Sequence, residues 1–390
     1  MVKNFIFSVT PKIIFGEGAI NKLPEEILRF GKNIILFTGK YSFYNLQKSE
    51  VIFNLLNHNN IRFIIEKIEK EPTATDIDNI IEKYRNTKFD VIVAIGGGSV
   101  IDTAKAVSAM LTTDDSVRNY IEGVGNKHHP GTKIPFIAIP TTSGTGSEAT
   151  NNSVIAEIGI NGFKRSLRHE NFIPNVAIVD SSLTLTCPRT ITAYSGMDAL
   201  SQLIEAYLSS KASHFTDLLC LDGLQNFKKS FLNAYFEGDK NISARTDIAY
   251  ASLTSGICLN NSGLGLVHGF ASSIGGYIYI PHGVICGKLL APFLKTIIKK
   301  VSNKNDDITY KKIINLSKIF IEDDASNEDM LINKFVEKLE VITDLVNIPK
   351  LSTFGLKIDD TDLICSNTAL KNTPCNLSFD DIKNILLSAL

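Results

Sequence analysis

Two histidines and an aspartate stand where they can hold a metal. Of seven histidines, His268 and His282 fall in a block between Asp247 and Lys288 that contains no Asp, Glu, Lys or Arg. One histidine among apolar residues is more often a satisfied core residue than a ligand. Two in a single uncharged block, with an acid elsewhere in a motif, change those odds. Pro281 directly before His282 can begin a helix and aim the imidazole. The acid is Asp198, within SGMDALSQLIEAYLS. Ionised, it is costly to bury without a partner such as a cation. A plainer role is also open, because Ser195 and Asp198 have capping-box spacing. Gln202 lies one helical turn on, so Asp198 and Gln202 share a helix face.

A second kind of chemistry sits in two glycine-rich runs. VIVAIGGGSVIDTAK sets Gly96, Gly97, Gly98 and Ser99 between a strand and a helix. Backbone N–H groups there can approach a diphosphate, and the helix N-terminus favours its charge. Ile101 stands where the third glycine of a Rossmann fingerprint belongs, so the run is equally a tight strand-to-helix connection. PTTSGTGSEAT, residues 140–150, concentrates the hydroxyls of Thr141, Thr142, Ser143 and Thr145 beside flexible glycines. Such a loop can bind ribose and phosphate oxygens, or can simply cap the next helix. Two such loops after two strands of one sheet favour a ligand crevice at the strand ends.

The elements that must carry these residues divide the chain in two. NIILFTG (33–39), IRFIIEK (61–67), FDVIVAI (89–95), IPFIAIP (134–140) and VAIVD (176–180) read as strands, mostly without polar alternation. Helical periods separate them, including TATDIDNIIEKYRN, which opens on Thr73 and Asp76 in capping-box spacing, and Val100 to Leu111. This predicts a parallel sheet covered on both faces. After about residue 183 helical periodicity dominates to Leu390, and Pro188 punctuates the shift. The expected fold is therefore an α/β domain over 1–183 followed by an all-α domain over 184–390. The charged segment 300–390 reads as solvated helical faces.

Bulk properties exclude several classes. The chain has 390 residues, 44% of them hydrophobic and 21% charged, with 40 basic and 41 acidic residues and a formal net charge of -1. This suits a globular enzyme and argues against nucleic acid or an anionic membrane as partner. The uncharged block is interrupted by Asn260, Asn261, His268, Pro281, His282 and glycines. A membrane span needs about 20 predominantly apolar residues, so buried helices are expected instead. Six scattered cysteines without a C-x-x-C pair, and an N-terminus without a long apolar leader, lead us to expect reduced thiols and a cytoplasmic location.

Taken together, GGGSxxDxxK at Gly96–Lys105, PTTSGTGSE at 140–148, SGMDAL at 195–200 and VHGFASSIGGYIYIPHG at 267–283 resemble the iron-containing alcohol dehydrogenase family. The motifs span both halves in order. Glycerol dehydrogenases and dehydroquinate synthases share the fold but match these motifs less closely. The resemblance implies that Gly97, Gly98 and Ser99 hold the cofactor pyrophosphate, that Thr141, Thr142 and Thr145 line its nicotinamide side, and that Lys164 contacts a ribose. Lys164 can also be an ordinary surface lysine. The family's ligands are an Asp, a His four residues later, and two His fourteen residues apart. Asp198, His268 and His282 match the first, third and fourth, while Gln202 occupies the second position. Ser272 stands where the family has a further histidine near the nicotinamide. The implied metal is Fe²⁺ or Zn²⁺, with the amide of Gln202 a weaker ligand than imidazole.

The resemblance further implies reversible hydride transfer between a small alcohol or aldehyde and NAD or NADP, and a homo-oligomer. Gly39 occupies the place of the acid that NAD-preferring members carry after the first strand, and Lys40 follows it. Loss of that acid removes a repulsion toward a 2′-phosphate, which leans the reading toward NADP. Two alternatives stay open: a polyol, phosphate-aldehyde or phosphonate-aldehyde reductase of the same fold, and a binding protein that has lost catalysis.

Overall fold

The structure, a computed structural model, describes residues 4–301, 308–322 and 327–390. Its first half is a parallel six-stranded sheet in the order β1-β8-β5-β4-β2-β3. The strands are β1 (Lys12–Phe15), β2 (Asn33–Gly39), β3 (Arg62–Ile68), β4 (Val91–Gly96), β5 (Phe136–Pro140) and β8 (Val176–Val179). Helices α1 (Leu23–Leu28), α2 (Ser49–His58), α3 (Ala74–Tyr84) and α4 (Gly98–Met110) cover it. The central strands β2, β4 and β5 are buried almost throughout, because side chains on both faces meet helices. Ile35, Phe37, Ile92, Ala94 and Phe136 pack with α3 and α4. Ile34, Leu36, Val91, Val93 and Ile139 pack on the opposite face with Ile27, Ile52 and Leu56. The Thr73 cap forms as its spacing predicts, Asp76 N–H donating to Thr73 Oγ1 at 3.1 Å and Thr73 N–H to Asp76 Oδ2 at 3.1 Å.

Two departures from the sequence reading concern a very short strand and a hairpin with a charged strand. The edge strand β1 (KIIF) is exposed at three of its four residues and too short to stand out by pattern. An antiparallel hairpin, β6 (Asn152–Glu157) and β7 (Phe163–Arg168), lies outside the main sheet. Three of the six residues of β7 are cationic, and only Lys164 and Leu167 are buried, so no apolar alternation marks the strand. The hairpin packs on α4 on one side and on the helical half of the chain on the other.

That second half is all helical. It comprises α5 (Arg189–Leu208), α6 (His214–Glu237), α7 (Ile242–Ser262), α8 (Leu266–Tyr277) and α9 (His282–Val301). These are followed by α10 (Ile308–Phe320), α11 (Glu328–Leu345), α12 (Thr361–Ser366) and α13 (Phe379–Leu387). The uncharged block becomes α7, α8 and the start of α9, and most of it is buried. Among the described residues no helix is long and apolar enough to cross a membrane.

The halves meet where backbone touches backbone. Gly146, at φ +60°, lies against Gly256 of α7, and a Cβ on Gly256 would sit 2.2 Å from the Gly146 carbonyl oxygen. Only two glycines allow this approach of the 140–150 loop to the helix. Gly256→Ala is therefore expected to cost about 1–3 kcal/mol of stability by displacing that loop. Urea denaturation checks this, and a parent-like value would show that the contact relaxes freely.

Candidate metal centre and cofactor crevice

Strand order sets the crevice. The chain leaves β2 toward β3 on one side and leaves β4 toward β5 on the other, so the order reverses between β2 and β4. Ligands of open α/β sheets bind outside the carboxyl ends of strands at such a reversal. Gly39 ends β2 there, and Gly96 ends β4. A Cβ on Gly39 would lie 2.1 Å from Ser42 Oγ, so this turn is built around the missing side chain. Lys40 pairs with Glu69 at 2.7 Å beyond the end of β3.

Gly97, Gly98 and Ser99 are part-open, between the buried strand β4 and the buried body of α4. Gly97 is the N-cap of α4, with extended backbone and no side-chain cap, so the first-turn N–H groups face outward toward an anion. The second glycine-rich loop lies directly alongside. Thr141 N–H donates to the Gly96 carbonyl at 3.0 Å. A Cβ on Gly98 would come within 2.9 Å of Thr145 Cγ2, and one on Gly97 within 3.3 Å of Thr142 Oγ1. The two loops thus form one cradle that only glycine leaves open.

Lys105 fastens this cradle from below. Its side chain is fully buried, and Nζ donates to the carbonyls of Ser147 (2.8 Å), Thr150 (2.9 Å) and Asn152 (2.7 Å). Burial brings its ammonium down to about 8, against the opposing pull of Asp102 and Glu148. Asp102, three residues earlier, accepts from Ser147 Oγ and from Val154 N–H. One helix of the sheet domain therefore holds both the 140–150 loop and the start of β6.

Asp198 lies mid-helix in α5 and is 2% exposed. It is not a helix cap, because α5 begins at Arg189 and Ser195 Oγ turns back to the Ile191 carbonyl at 2.7 Å. Long-range packing brings it to His268 of α8 and His282 at the start of α9. Asp198 Oδ1 is 3.3 Å from His268 Nε2 and 3.4 Å from His282 Nε2. Cys286, one turn further along α9, completes a group whose four ligand atoms all lie within 4.8 Å of one another. Burial alone would raise the Asp198 carboxyl, but His282 and His268 hold it well below the usual carboxylate range. Burial opposes a charge on His282, yet Cys286 and Asp198 carry it up to about 9. Burial likewise opposes the Cys286 thiolate, and the two histidines bring that thiol down to about 7.

Two further residues of α5 shape this group. Glu205, fully buried, accepts from His268 Nδ1 at 2.7 Å and from Val267 N–H at 2.7 Å. A carboxylate on Nδ1 fixes the ring and leaves Nε2 for a metal. Gln202 donates through Nε2 to Asp198 Oδ1 at 3.2 Å and reaches the Thr145 carbonyl at 3.5 Å, while Oε1 accepts from Ser255 Oγ at 2.8 Å. Thr145, Gln202 and Asp198 thus connect the glycine cradle to the Asp/His/His group. Neither Glu205 nor Cys286 was singled out by sequence reasoning. For Cys286 the available signal was its i,i+4 spacing from His282, which puts both on one helix face. Lys164 is buried and paired with both Glu71 oxygens, at 2.8 and 2.7 Å. Ser272 Oγ donates to the His268 carbonyl at 3.0 Å, so its hydroxyl is tied to its own helix.

The residues present fit a divalent ion. Oxygen, nitrogen and sulfur donors converge on one buried point, and His282 Nδ1 is buried without a hydrogen-bond partner. Among the described residues no lysine or arginine ion-pairs with Asp198, so a cation is the group this carboxylate lacks.

A parallel-sheet domain with a glycine cradle, joined to a helical domain with an Asp/His/His group, defines a nicotinamide-linked, metal-dependent oxidoreductase. The comparisons agree with that class. The model for iron-containing alcohol dehydrogenase matches residues 10–181, and that for the C-terminal part of the Fe-containing alcohol dehydrogenase family matches 192–390. Alcohol dehydrogenase 4 of Saccharomyces cerevisiae is 30% identical over 93% of this chain and 91% of its own. NADPH-dependent butanol dehydrogenase of Clostridium saccharobutylicum is 30% identical over 97% and 96%. The structure of an alcohol dehydrogenase from Oenococcus oeni superposes with a TM-score of 0.86 at 28% identity, covering 99% of this chain and 100% of that one. The chain belongs to the iron-containing alcohol dehydrogenase family, and with it to the NAD(P)-linked oxidoreductases acting on alcohols and aldehydes.

Glu205→Gln is expected to weaken divalent-metal binding about 10–100-fold by releasing the His268 ring. Competition against a chromogenic chelator measures this, and unchanged affinity would remove Glu205 from the site.

Proposed function

We propose that the protein interconverts a small aldehyde and its alcohol, with NADP preferred over NAD and a divalent ion, Fe²⁺ or Zn²⁺, bound by Asp198, His268 and His282. We divide the chain into a cofactor-binding domain over 1–183 and a metal-binding domain over 184–390. We also place it in the cytoplasm, on its scattered cysteines without a C-x-x-C pair, and read it as a homo-oligomer on the family resemblance. The observation that carries the reading is the convergence of Asp198, His268 and His282 within reach of the Thr145 end of the glycine cradle.

The bound ion supplies Lewis acidity and the nicotinamide supplies the hydride or accepts it. The remaining work belongs to the chain. N–H groups at Gly98 and Ser99 bind the pyrophosphate at the N-terminus of α4. Thr141, Thr142 and Thr145 orient the nicotinamide, on a loop that Lys105 holds still. Lys164 turns from Glu71 toward the ribose hydroxyls. Glu205 fixes the tautomer of His268, and the contact of the two domains excludes water from the reacting atoms. Ser272 offers no imidazole to relay a proton, so proton exchange runs through solvent at the mouth of the crevice.

The lean toward NADP rests on Gly39 and Lys40. No carboxylate stands at Gly39 to repel a 2′-phosphate, and Lys40 can leave Glu69 to meet one. The complete buried donor group and the intact cradle argue against a protein that only binds.

With Fe²⁺ or Zn²⁺ supplied, oxidation of NADPH in the presence of a short aldehyde tests the reading directly. Asp198→Ala is expected to lower that rate by about 100-fold or more, and full activity in the variant would refute the metal assignment. In steady-state kinetics Lys40→Glu should lower kcat/KM for NADPH about ten-fold while leaving the value for NADH nearly unchanged. Equal losses with both cofactors would argue against a 2′-phosphate contact.

A further inference from the structure

We propose that Cys286 is the fourth protein ligand of the metal, in place of Gln202. The inference rests on the reading of Asp198, His268 and His282 as ligands, and it deepens that reading.

Three observations carry it. The first is position. Cys286 follows His282 by one turn of α9, is fully buried, and lies with its Sγ 3.7 Å from His268 Nε2. The second is spacing. Ligand bonds of about 2.3 Å to sulfur and 2.0–2.2 Å to nitrogen or oxygen give tetrahedral edges of about 3.6 Å (S to N) and about 3.4 Å (N to O). The observed separations are 3.7 Å between Sγ and His268 Nε2, and 3.3 and 3.4 Å between Asp198 Oδ1 and the two imidazoles. Three of the six donor separations thus match those of ligands around one ion, and all four donors lie within 4.8 Å of one another. The third is the orientation of Gln202. Its amide nitrogen, which has no lone pair for a metal, faces Asp198, and its oxygen accepts from Ser255. Gln202 therefore orients the Asp198 carboxylate and is a positioning residue.

The assignment has a chemical consequence. A thiolate in place of a neutral amide lowers the charge of the loaded site by one. It also makes the donor set softer, which favours Zn²⁺ over harder-liganded Fe²⁺. Four protein ligands are kept although the second family histidine is absent.

Cobalt reports the ligands independently of turnover. Full-length protein stripped of metal and loaded with Co²⁺ should show visible d–d bands and a near-ultraviolet sulfur-to-cobalt charge-transfer band. Cys286→Ser should keep the visible bands and lose the charge-transfer band, with Zn²⁺ affinity reduced about ten-fold or more. Gln202→Ala should retain the charge-transfer band. Visible bands without charge transfer in the parent, or a band that survives in Cys286→Ser, would overturn the thiolate ligand and leave the Asp198/His268/His282 site standing. No cobalt bands in the parent would overturn the ligand reading itself. The parent spectrum decides the matter even if Cys286→Ser fails to fold, and Cys286→Ala supplies a second variant.

Discussion

Asp198 is a carboxylate placed in the middle of a buried helix, and much of the molecule is arranged around the cost of keeping it charged. Ion-pairing lysines and arginines are absent from it among the described residues; imidazoles, an amide and a thiol surround it instead. A lone buried charge costs several kcal/mol, and neutral dipoles recover only part of that. A divalent cation recovers the rest. The family ties this chain to metal-dependent oxidoreductases, and the buried carboxylate is the physical reason for proposing the metal at this point.

The same helix reaches outward in three directions. Asp198 looks into the metal-ligating group, Glu205 fixes His268 and the start of α8, and Gln202 touches the loop at Thr145. Because α5 is buried along most of its length, these three positions are set by packing and not by local flexibility. Precision of this kind suits hydride transfer, where small errors in placing the reacting atoms cost large factors in rate.

On the cofactor side the equivalent role falls to α4. Its N-terminus opens at the glycine cradle, while Asp102 and Lys105 hold the 140–150 loop by hydrogen bonds rather than by apolar contact. A polar loop packed this closely must have its carbonyls paired, and the buried ammonium pairs three of them. The Gly146–Gly256 contact then locks that loop to α7. The glycine cradle and the Asp/His/His group are thus joined by a short chain of contacts through Thr145 and Gln202.

Much of this was legible along the chain. Continuous apolar strands separated by helical periods required a sheet buried on both faces, since only burial on both sides makes such runs favourable. Glycines at Gly97 and Gly98 marked where a side chain had to be missing, and the uncharged block marked helices with no solvent face. The hairpin β6–β7 was hidden because Lys164, Arg165 and Arg168 interrupt any apolar run in β7, and β1 because four residues are too few for a pattern. Asp198 left a capping role open as well, since capping-box spacing is local and says nothing of what lies before it. What tertiary structure alone decided was the company these residues keep. Asp198 and His268 are 70 residues apart, and Glu205 and His268 63. No local pattern encodes a contact across such a distance. The i,i+4 spacing of His282 and Cys286 could place both on one face of α9, but only the packing of α5, α8 and α9 could say what that face meets.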